Sequence, residues 1–422
     1  MAPFLGCIAD DFTGATDLAG MLVRAGMRTI QTIGVPPRGA ALDADAVVVA
    51  LKSRTAPPVE AVADSLAALA ALRDGGCRRF FFKYCSTFDS TDRGNIGPVA
   101  DALLDALGAP LAIACPAFPE NGRSVFMGHL FVGEVLLSES GMRTHPLTPM
   151  TDPSLVRVLQ RQARRKVGLV RADAVAAGPD AIRARLEALR QDGIGLAIVD
   201  AVSDADLRRI GEACWDHLLV TGGSGVAMGL PEAWGARGLL GARDGAATLP
   251  SSAGLRAVVS GSCSVATLGQ VAKAVEAGTP AFRVDPLQLA AGEDVATAAL
   301  AWAAPLLERG PVLVYATAEP DTVRAAQDRL GREHAGTLVE AALAAIAKGL
   351  VERGVGRLVV AGGETSGAVV NALGVKALRI GPQIAPGVPW TASVGGRPLA
   401  LALKSGNFGA PTFFLDAWKV LP

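Results

Sequence analysis

The sequence lacks the two short motifs that most often indicate a bound nucleotide. Among its 422 residues there is no Gly-Lys dipeptide, so the P-loop pattern G-x-x-x-x-G-K-[ST] is absent. The run TGGSGVAMG at Thr221–Gly229 imitates the dinucleotide fingerprint G-x-G-x-x-G. Counted from Gly223, however, its third glycine would fall on Met228. These absences disfavour P-loop enzymes and redox enzymes that bind a dinucleotide.

Net charge and metal-binding patterns are also lacking. The 40 Lys and Arg residues balance 40 Asp and Glu residues, so we expect no extended charged surface for nucleic acid or an anionic membrane. The six cysteines form no C-x-x-C pair, and the four histidines lack the H-x-x-x-H spacing of a zinc site. Cysteines that lie singly in apolar runs are typical of a protein from a reducing compartment.

No segment has the pattern of a leader or a membrane span. The sequence MAPFLGCIADDF at the amino terminus has no basic stretch and reaches two aspartates before any long apolar run. The longest apolar helix pattern, near Val295 to Leu307, is too short to cross a bilayer. We therefore expect a soluble, cytoplasmic protein that binds neither nucleic acid nor membrane.

Apolar runs of strand length alternate with helical periodicity along most of the chain. This alternation predicts an α/β fold of two domains, each a mainly parallel sheet flanked by helices, with the active site in the interdomain cleft. The Gly-, Ala- and Pro-rich segment 236–254 predicts a linker between an N-terminal domain, 1–235, and a C-terminal domain, 255–422. Ser124–Leu136 predicts a hairpin that forms an arm or a lid. The strands predicted in the N-terminal domain are Phe4–Ala9, Val47–Leu51, Arg79–Lys83, Leu111–Cys115, Gly168–Val170, Leu196–Asp200 and His217–Thr221.

The most informative stretch is KYCSTFDSTDRGNIGP at Lys83–Pro98, which directly follows a predicted strand. Its cations, acid, hydroxyls and amide are Lys83, Arg93, Asp89, Ser86, Thr87, Ser90 and Asn95. Open α/β sheets bind ligands at the carboxyl ends of their strands, so this density of polar groups predicts a site for a small polyhydroxylated anion. The alternative is an ordinary loop rich in helix caps.

Two further strand ends add charge. Asp10 and Asp11 follow the first strand and suit a magnesium ion, a catalytic base or hydrogen bonds to substrate hydroxyls. Side chains alternate along a strand, so we expect one of the two to face the crevice. The alternative is that Asp11 only caps the next helix. Arg54 follows another strand and, with Lys83, suits a substrate carboxylate; the alternative is a solvated basic loop.

The second half contains glycine-rich turns between strand and helix patterns. They are SGSCS at Ser260–Ser264, GGETSG at Gly362–Gly367 and KSGNFG at Lys404–Gly409. Backbone N–H groups at such turns bind phosphates, and a following helix adds its dipole. Glycine also serves helix ends and tight turns, but the occurrence of several such turns in one domain favours a nucleotide site.

Motifs along nearly the whole chain resemble the four-carbon acid sugar kinase family. They are IADDFTGATDLA, LKSRT, FKYCSTFDSTDRGNIGPVADAL, CPAFPENGR, GHLFVGEVLLSESGMRTHPLTPMTD, VTGGSG, VSGSCS, AGGETSG and KSGNFG. The run from the lysine to the arginine is longer than in family members that act on threonate or erythronate, and Asp92 stands in place of their leucine. This departure favours the 3-oxo-tetronate subgroup.

The resemblance implies an acid-sugar-binding first domain and a nucleotide-binding second domain. The implied reaction converts ATP and 3-oxo-tetronate to ADP and 3-oxo-tetronate 4-phosphate, with Mg²⁺ expected beside ATP. The residues implied to contact ATP are Ser260, Gly362, Gly363, Glu364, Thr365 and Gly406. Those expected to hold the acid are Arg54, Ser86, Thr87, Asp89, Ser90 and Asn95.

Phosphoryl transfer needs positioning and neutralisation of charge more than covalent chemistry. As a hypothesis, Asp10 or Asp11 accepts the proton of the 4-hydroxyl, and Lys83 or Arg93 steadies the transferring phosphoryl group. The metal ligands are not identified.

Other functions remain open at this point. They are a kinase for threonate or erythronate themselves, a non-catalytic sensor of nucleotide or sugar acid on the same fold, and an aldolase or isomerase of sugar acids. The predicted hairpin also suggests a homodimer contact.

Overall fold

The computed structural model of this chain describes residues 2–40, 42–145, 147–241, 245–318, 324, 328–396 and 398–421. The chain forms two compact units, Met1–Ala246 and Ala247–Pro422. The division falls inside the predicted linker 236–254, of which residues 242–244 lie outside the described ranges. The domain limits at 235 and 255 stay predictions.

The first unit is built on a parallel sheet flanked by helices. Its strands are β1 (Leu5–Ala9), β2 (Thr29–Ile33), β3 (Ala46–Ala50), β4 (Arg79–Lys83), β5 (Ala112–Cys115), β6 (Arg123–Phe126), β7 (His129–Val132), β8 (Val135–Leu136), β9 (Lys166–Val170), β10 (Ile194–Val199) and β11 (Leu219–Gly222). Its α-helices are α1 (Phe12–Arg24), α2 (Pro58–Asp74), α3 (Ile96–Leu107), α4 (Leu155–Gln162), α5 (Ala172–Ala176), α6 (Pro179–Gln191), α7 (Asp204–Ala213) and α8 (Gly229–Gly235). The large sheet has the order β2-β3-β1-β4-β11-β5-β10-β9, with neighbouring strands parallel.

Strand β1 lies inside this sheet, between β3 and β4. Every residue of β1 and β3 is buried, as expected for parallel strands covered on both faces. Helix α1 begins directly after β1 because the side chain of Asp11 accepts a hydrogen bond from the amide of Gly14 and so caps the helix. The predicted strands of this domain are confirmed to within a few residues at their ends.

Strand β2 is not among the strands that the sequence predicts. Its residues Thr29 and Gln31 are fully buried although they are polar, and Thr16 of α1 donates a hydrogen bond to Gln31 Oε1 at 3.0 Å. A buried strand whose polar side chains are paired in this way has no apolar run that would identify it.

Strands β6, β7 and β8 form a separate antiparallel sheet, here called the arm. Its first turn contains Met127 and Gly128, whose φ angles of 49° and 72° suit a tight hairpin turn. Asp200, fully buried after β10, accepts hydrogen bonds from the amides of Met127 and Gly128 at 2.8 Å and of Ala172 at 2.9 Å. The hairpin predicted at Ser124–Leu136 is confirmed.

The second unit is also an α/β domain. Its strands are β12 (Leu255–Ser260), β13 (Ala281–Arg283), β14 (Val312–Tyr315), β15 (Val355–Ala361), β16 (Ala377–Ala385), β17 (Val388–Ser393) and β18 (Ala400–Lys404). Its described α-helices include α9 (Val265–Glu276), α10 (Pro286–Ala290), α11 (Val295–Ala303), α12 (Arg332–Glu352), α13 (Gly363–Ala372) and α14 (Phe413–Asp416). The order is β13-β14-β12-β15-β18-β17-β16. The strands β13, β14, β12, β15 and β18 are parallel to one another, and β17 runs antiparallel to both of its neighbours.

The sequence does not predict β16 and β17. Pro382 interrupts β16, and its pairing with β17 shifts register between Ile380 and Gln383. Proline cannot donate a ladder hydrogen bond, so it argues against a strand in a sequence pattern. The mainly parallel α/β class is nevertheless confirmed for both units.

One described helix is long and apolar enough, by length and composition, to cross a membrane. This stretch is His334–Glu352 of α12, and 44% of it is buried inside the protein. The prediction that the longest apolar helix lies near Val295–Leu307 is wrong, because α11 ends at Ala303 and α12 is longer. An apolar helix of a packed core has the same composition as a membrane span.

Gly222, at the end of β11, allows a close approach to β5. A Cβ atom here would collide with the carbonyl oxygen of Cys115 and lie 2.9 Å from Val226 Cγ1. We expect Gly222→Ala to lower the free energy of unfolding by about 1–3 kcal/mol, because overpacking displaces neighbouring atoms. In the control Gly20→Ala, within α1, the new methyl group meets no described atom within 4 Å, so helix propensity should raise stability by up to about 1 kcal/mol. Urea unfolding of both variants measures the difference, and equal stabilities would contradict this account.

Candidate active site

The carboxyl ends of β3, β1 and β4 lie side by side, and backbone hydrogen bonds join the loops that follow them. The amide of Asp10 donates to the carbonyl of Lys83 at 3.0 Å, and the amide of Arg54 donates to the carbonyl of Asp10 at 3.2 Å. The amide of Tyr84 donates to the carbonyl of Gly222, the last residue of β11, at 3.1 Å. Segments far apart in the sequence are thus held at the edge where open α/β sheets bind ligands.

Arg54 contacts several carboxylates at this edge. Its Nε and Nη2 donate to the two oxygens of Asp10, both at 2.9 Å. Nη2 also donates to Asp11 Oδ1 at 2.7 Å, and Nη1 lies 3.6 Å from Asp89 Oδ2. We call Asp10, Asp11, Arg54 and Asp89 the Arg54 cluster. Because the guanidinium already binds acids of the chain, its role as a clamp for a substrate carboxylate stays a prediction.

Burial and the neighbouring charges have opposite effects on the pKa values of Asp10 and Arg54. Burial raises the pKa of Asp10 from its ordinary value, and the adjacent guanidinium of Arg54 opposes that rise. For Arg54, burial favours a lower pKa, but the carboxylates of Asp10 and Asp11 outweigh it and raise the pKa. The guanidinium therefore stays charged, and it compensates the cost of burying the carboxylates.

Asp11 differs from Asp10 in what remains open to a ligand. Its Oδ1 accepts hydrogen bonds from Arg54 and from the amide of Gly14, so Asp11 both caps α1 and belongs to the Arg54 cluster. Its Oδ2 has no hydrogen-bond partner within the described ranges. The side chain of Asp11 is 29% exposed, against 9% for Asp10, whose two oxygens are both bound by Arg54. Asp11 is therefore the better placed of the two to meet a hydroxyl group.

Lys83 is almost completely buried next to the cluster. Its Nζ donates to the carbonyl of Tyr84 at 2.8 Å, and a Cβ atom at Gly14 would lie 3.0 Å from that nitrogen.

Asp17, three residues after Gly14 on α1, accepts a hydrogen bond of 2.5 Å from Ser224. Burial raises the pKa of Asp17, and the positive charge of Lys83 opposes this.

Asp17 and Ser224 were not among the site residues predicted from the sequence. The sequence does indicate that Asp17 lies on the same face of α1 as Gly14, because residues three apart in a helix share a face. The partner of Asp17 could not be read from the sequence, since Ser224 lies in a distant glycine-rich segment after β11.

The segment after β4 is held by an unusual backbone conformation. Phe88 has a φ of 63°, in the left-handed region, which costs an L-residue about 1–2 kcal/mol. Its ring is fully buried and packs edge to face against Tyr84, with ring centroids 5.4 Å apart. This packing offsets the strain and fixes the flanking residues Thr87 and Asp89, whose side chains share a hydrogen bond of 2.5 Å.

Cys85 and Ser86 begin this segment. Burial raises the pKa of Cys85 to about 11, so its thiol stays protonated near neutral pH and is a poor nucleophile. Its Sγ lies 3.0 Å from Thr87 Oγ1. The predicted contact of Ser86, which is half-buried, with a substrate stays a prediction.

Ser90 and Asn95 support the loops around the cluster. Asn95 Nδ2 donates to the carbonyl oxygens of Ser53 at 2.6 Å and of Ala56 at 2.9 Å, on either side of Arg54. Ser90 Oγ donates to Gln162 Oε1 at 3.1 Å, and Gln162 was not predicted from the sequence to lie here. These contacts are structural, and substrate contacts of Ser90 and Asn95 stay predictions.

Arg93 lies apart from this arrangement. Its side chain is exposed and lines a pocket of about 500 Å³ together with Asp152 and Arg161. Within the described ranges, no hydrogen bond or ion pair joins Arg93 to the Arg54 cluster. The catalytic role predicted for Arg93 stays a prediction.

In the second unit the predicted glycine-rich turns meet at the ends of β12, β15 and β18, which are adjacent in the sheet. The amide of Gly261 donates to the carbonyl of Ala361 at 2.9 Å, and the amide of Gly362 to the carbonyl of Lys404 at 2.8 Å. Ser264 Oγ donates to the carbonyl of Gly406 at 2.6 Å. Gly406 has no room for a side chain, because a Cβ atom would lie 2.5 Å from Ser262 Oγ.

The other residues predicted to contact ATP differ in exposure. Ser260 is fully buried, and its hydroxyl lies 2.8 Å from that of Thr317, whereas Thr365 is 4% exposed. Gly363 and Glu364 are exposed in the first turn of α13, where free N–H groups and the helix dipole favour an anion. Contacts of these residues with ATP stay predictions.

Comparison with known proteins assigns each unit a role. Residues 5–230 match the family model described as a sugar-binding N-terminal domain, and residues 257–414 match that of a nucleotide-binding C-terminal domain. Proteins named 3-oxo-tetronate kinase are 66% identical in Cupriavidus necator and 64% identical in Burkholderia multivorans. Each alignment covers 99% of this chain and 97% of the relative.

The chain belongs to the four-carbon acid sugar kinase family.

Solved structures agree with the fold of this kinase family. A crystal structure from Haemophilus influenzae has 45% sequence identity and a TM-score of 0.88, covering 99% of this chain and 100% of that chain. A protein from Salmonella typhimurium LT2, whose name suggests a tRNA synthase, has 44% identity and a TM-score of 0.92, with 99% of each chain covered.

The contacts of Asn95 make its structural role in this kinase testable. We expect Asn95→Ala to lower the free energy of unfolding by about 1–3 kcal/mol, because it removes the hydrogen bonds that the side-chain amide donates to the carbonyls of Ser53 and Ala56. Asn371→Ala, at an exposed position of α13, is the control and should change stability little. Urea denaturation followed by circular dichroism measures both. A variant at position 95 that unfolds like the wild type but binds sugar acid weakly would favour a substrate contact instead.

Proposed function

We propose that this protein transfers the γ-phosphoryl group of ATP to the 4-hydroxyl of 3-oxo-tetronate, giving ADP and 3-oxo-tetronate 4-phosphate. The high identity to proteins named 3-oxo-tetronate kinase over almost the full chain supports the substrate. The observation that carries the mechanism is the Arg54 cluster, which lies in the unit that matches a sugar-binding domain and leaves one carboxylate oxygen of Asp11 open.

We assign the general base to Asp11. The 4-hydroxyl proton passes to Asp11 Oδ2 as the hydroxyl oxygen forms a bond to the γ-phosphorus, and the bond to the β,γ-bridging oxygen breaks to release ADP. Asp10 is less suited to this step, because Arg54 binds both of its oxygens. Arg54 then acts as a positioning residue, since it fixes the carboxylate of Asp11 by a hydrogen bond of 2.7 Å.

The substrate and the transferring group both carry negative charge, so cations are needed near Asp11. Lys83 is the nearer candidate, because its ammonium lies beside Gly14, in the first turn of the helix that Asp11 caps. Arg93 lies apart from the Arg54 cluster and is the second candidate, because its exposed guanidinium makes no ion pair within the described ranges and is free to bind a phosphoryl group.

Magnesium is proposed as the companion of ATP. Within the described part of the chain, no group of His, Cys, Asp or Glu residues forms an all-protein metal cage. Mg²⁺ in kinases is usually held by one or two carboxylates together with substrate phosphates, so such a cage is not required. Glu364, exposed in the first turn of α13, has the donor chemistry for this role. When bound, the metal would neutralise phosphate charge.

The proposal also includes a cellular location, a homodimer contact and a place for the phosphoryl transfer. We place the enzyme in the cytoplasm, because all six cysteines are free. A homodimer contact through the arm, where Phe126 and Met127 are each 47% exposed, stays a prediction. The cleft between the domains as the place of transfer also stays a prediction of the sequence.

Replacement of the two adjacent acids separates their roles. We expect Asp11→Asn to lower kcat by at least about a hundredfold, since general-base catalysis contributes roughly that much, while ADP affinity stays unchanged. Asp10→Asn should also lower the free energy of unfolding, because it weakens the buried bidentate pair with Arg54. A coupled assay of ADP release that depends on 3-oxo-tetronate measures kcat, and calorimetry measures ADP binding.

The same assay with threonate and erythronate controls for substrate identity. Faster turnover of either unoxidised acid than of 3-oxo-tetronate would contradict the proposed substrate. Near-normal turnover of Asp11→Asn would refute the base assignment, and ADP release in the absence of any sugar acid would point to a simple ATPase.

A further inference from the structure

Lys404 is a buried charge that the proposed reaction does not use. It ends β18 and is fully buried in the second unit. Its Nζ donates to Thr267 Oγ1 and to the carbonyl of Ser405, both at 3.0 Å, and to the carbonyl of Gly406 at 2.9 Å. An ammonium group has three N–H donors, so all of them are used inside the protein.

The carbonyl oxygen of Gly406 is the focus of these contacts. Besides Lys404, it accepts hydrogen bonds from Ser264 Oγ at 2.6 Å and from Thr267 Oγ1 at 2.8 Å. Ser264 caps α9, and Thr267 lies in the first turn of that helix. The turn at Gly406 is therefore attached to α9 through a charged group and two hydroxyls.

These contacts determine which way the neighbouring amides face. In a planar trans peptide the C=O and N–H groups point in opposite directions. The carbonyls of Ser405 and Gly406 are drawn toward Lys404, so the N–H groups of Gly406 and Asn407 face away from it. Within the described ranges, neither N–H group has a protein acceptor. Successive free N–H groups of this kind form a concave site for an anion.

We infer that Lys404 is a positioning residue which, with Ser264 and Thr267, orients the N–H groups of Gly406 and Asn407 toward the phosphates of the bound nucleotide. This inference rests on the proposed function, in which the second unit binds ATP. It adds to that function the residues that give the KSGNFG turn its shape.

Burial of an ammonium group is costly, and an apolar residue in its place would pack at lower cost. Burial lowers the pKa of Lys404 to about 8, so the group is still mostly protonated at neutral pH and can make all of its contacts. A charge kept under these conditions, with carbonyls of a glycine-rich turn as its acceptors, fits a role in shaping that turn.

Two variants and one matched control test the inference. Lys404→Met removes the ammonium but keeps an unbranched side chain, and Thr267→Val removes only the hydroxyl that links Lys404 to Gly406. Thr391→Val is the control, because its buried hydroxyl also donates to a carbonyl, that of Leu401 at 2.8 Å, but between β17 and β18 and not at the turn. Should Lys404→Met fail to fold, Thr267→Val decides the question.

The measurements are the dissociation constant of ADP by calorimetry, the KM for ATP and the KM for 3-oxo-tetronate. We expect both Lys404→Met and Thr267→Val to raise the ADP dissociation constant and the ATP KM at least fivefold, with the KM for 3-oxo-tetronate unchanged. The control should lose thermal stability as Thr267→Val does but keep wild-type ADP affinity. A folded variant at position 267 or 404 that binds ADP like the wild type would overturn this inference alone. Wild-type protein that binds no ADP would overturn the proposed function as well.

Discussion

The geometry at the strand ends of the sugar-binding domain depends on one guanidinium group among carboxylates. Without Arg54, the buried acid of Asp10 would be left without its charge partner, and the favourable state of that acid would be the protonated one. Arg54 also fixes Asp11 and lies near Asp89, so it links the ends of β1, β3 and β4. The parallel sheet brings these three ends together, and the ion pairs of Arg54 fix the positions of the side chains there.

The two units have related α/β structures but differ in the groups that lie at their strand ends. In the first unit, charged side chains at strand ends form the proposed site, and a strained but well-packed Phe88 holds the adjoining segment in place. In the second unit, the proposed site consists mostly of backbone groups of glycine-rich turns, which suit a ligand with many phosphate oxygens. Where backbone amides are the binding groups, buried side chains must hold the peptide groups in one orientation. Lys404 has such a position, because its ammonium donates a hydrogen bond to the carbonyl of Gly406.

Much of this arrangement could be predicted from the sequence. Asp10, Arg54 and Asp89 follow apolar runs, and the rule that parallel strands end at one edge is enough to bring them together. The three glycine-rich turns could be related in the same way. What could not be predicted is pairing: the sequence shows that Arg54 is a cation at a strand end, but not that acids of the same chain already occupy it. Asp17 with Ser224, and Ser90 with Gln162, are likewise pairs across long sequence separations. Strands β2, β16 and β17 escaped prediction because buried polar residues or proline erase the periodicity on which prediction depends.

The anchoring of the arm limits how freely it can move. Asp200 ties the turn of β6 and β7 to the end of β10 and to the start of α5 through three backbone amides. Hydrogen bonds to a charged group contribute about 1.5–3 kcal/mol each, so a movement of this turn away from β10 would have to break two of them and leave a buried carboxylate with fewer partners. These contacts oppose a movement of the arm in every catalytic cycle, and a lid formed by it would have to pivot with its turn still attached to β10.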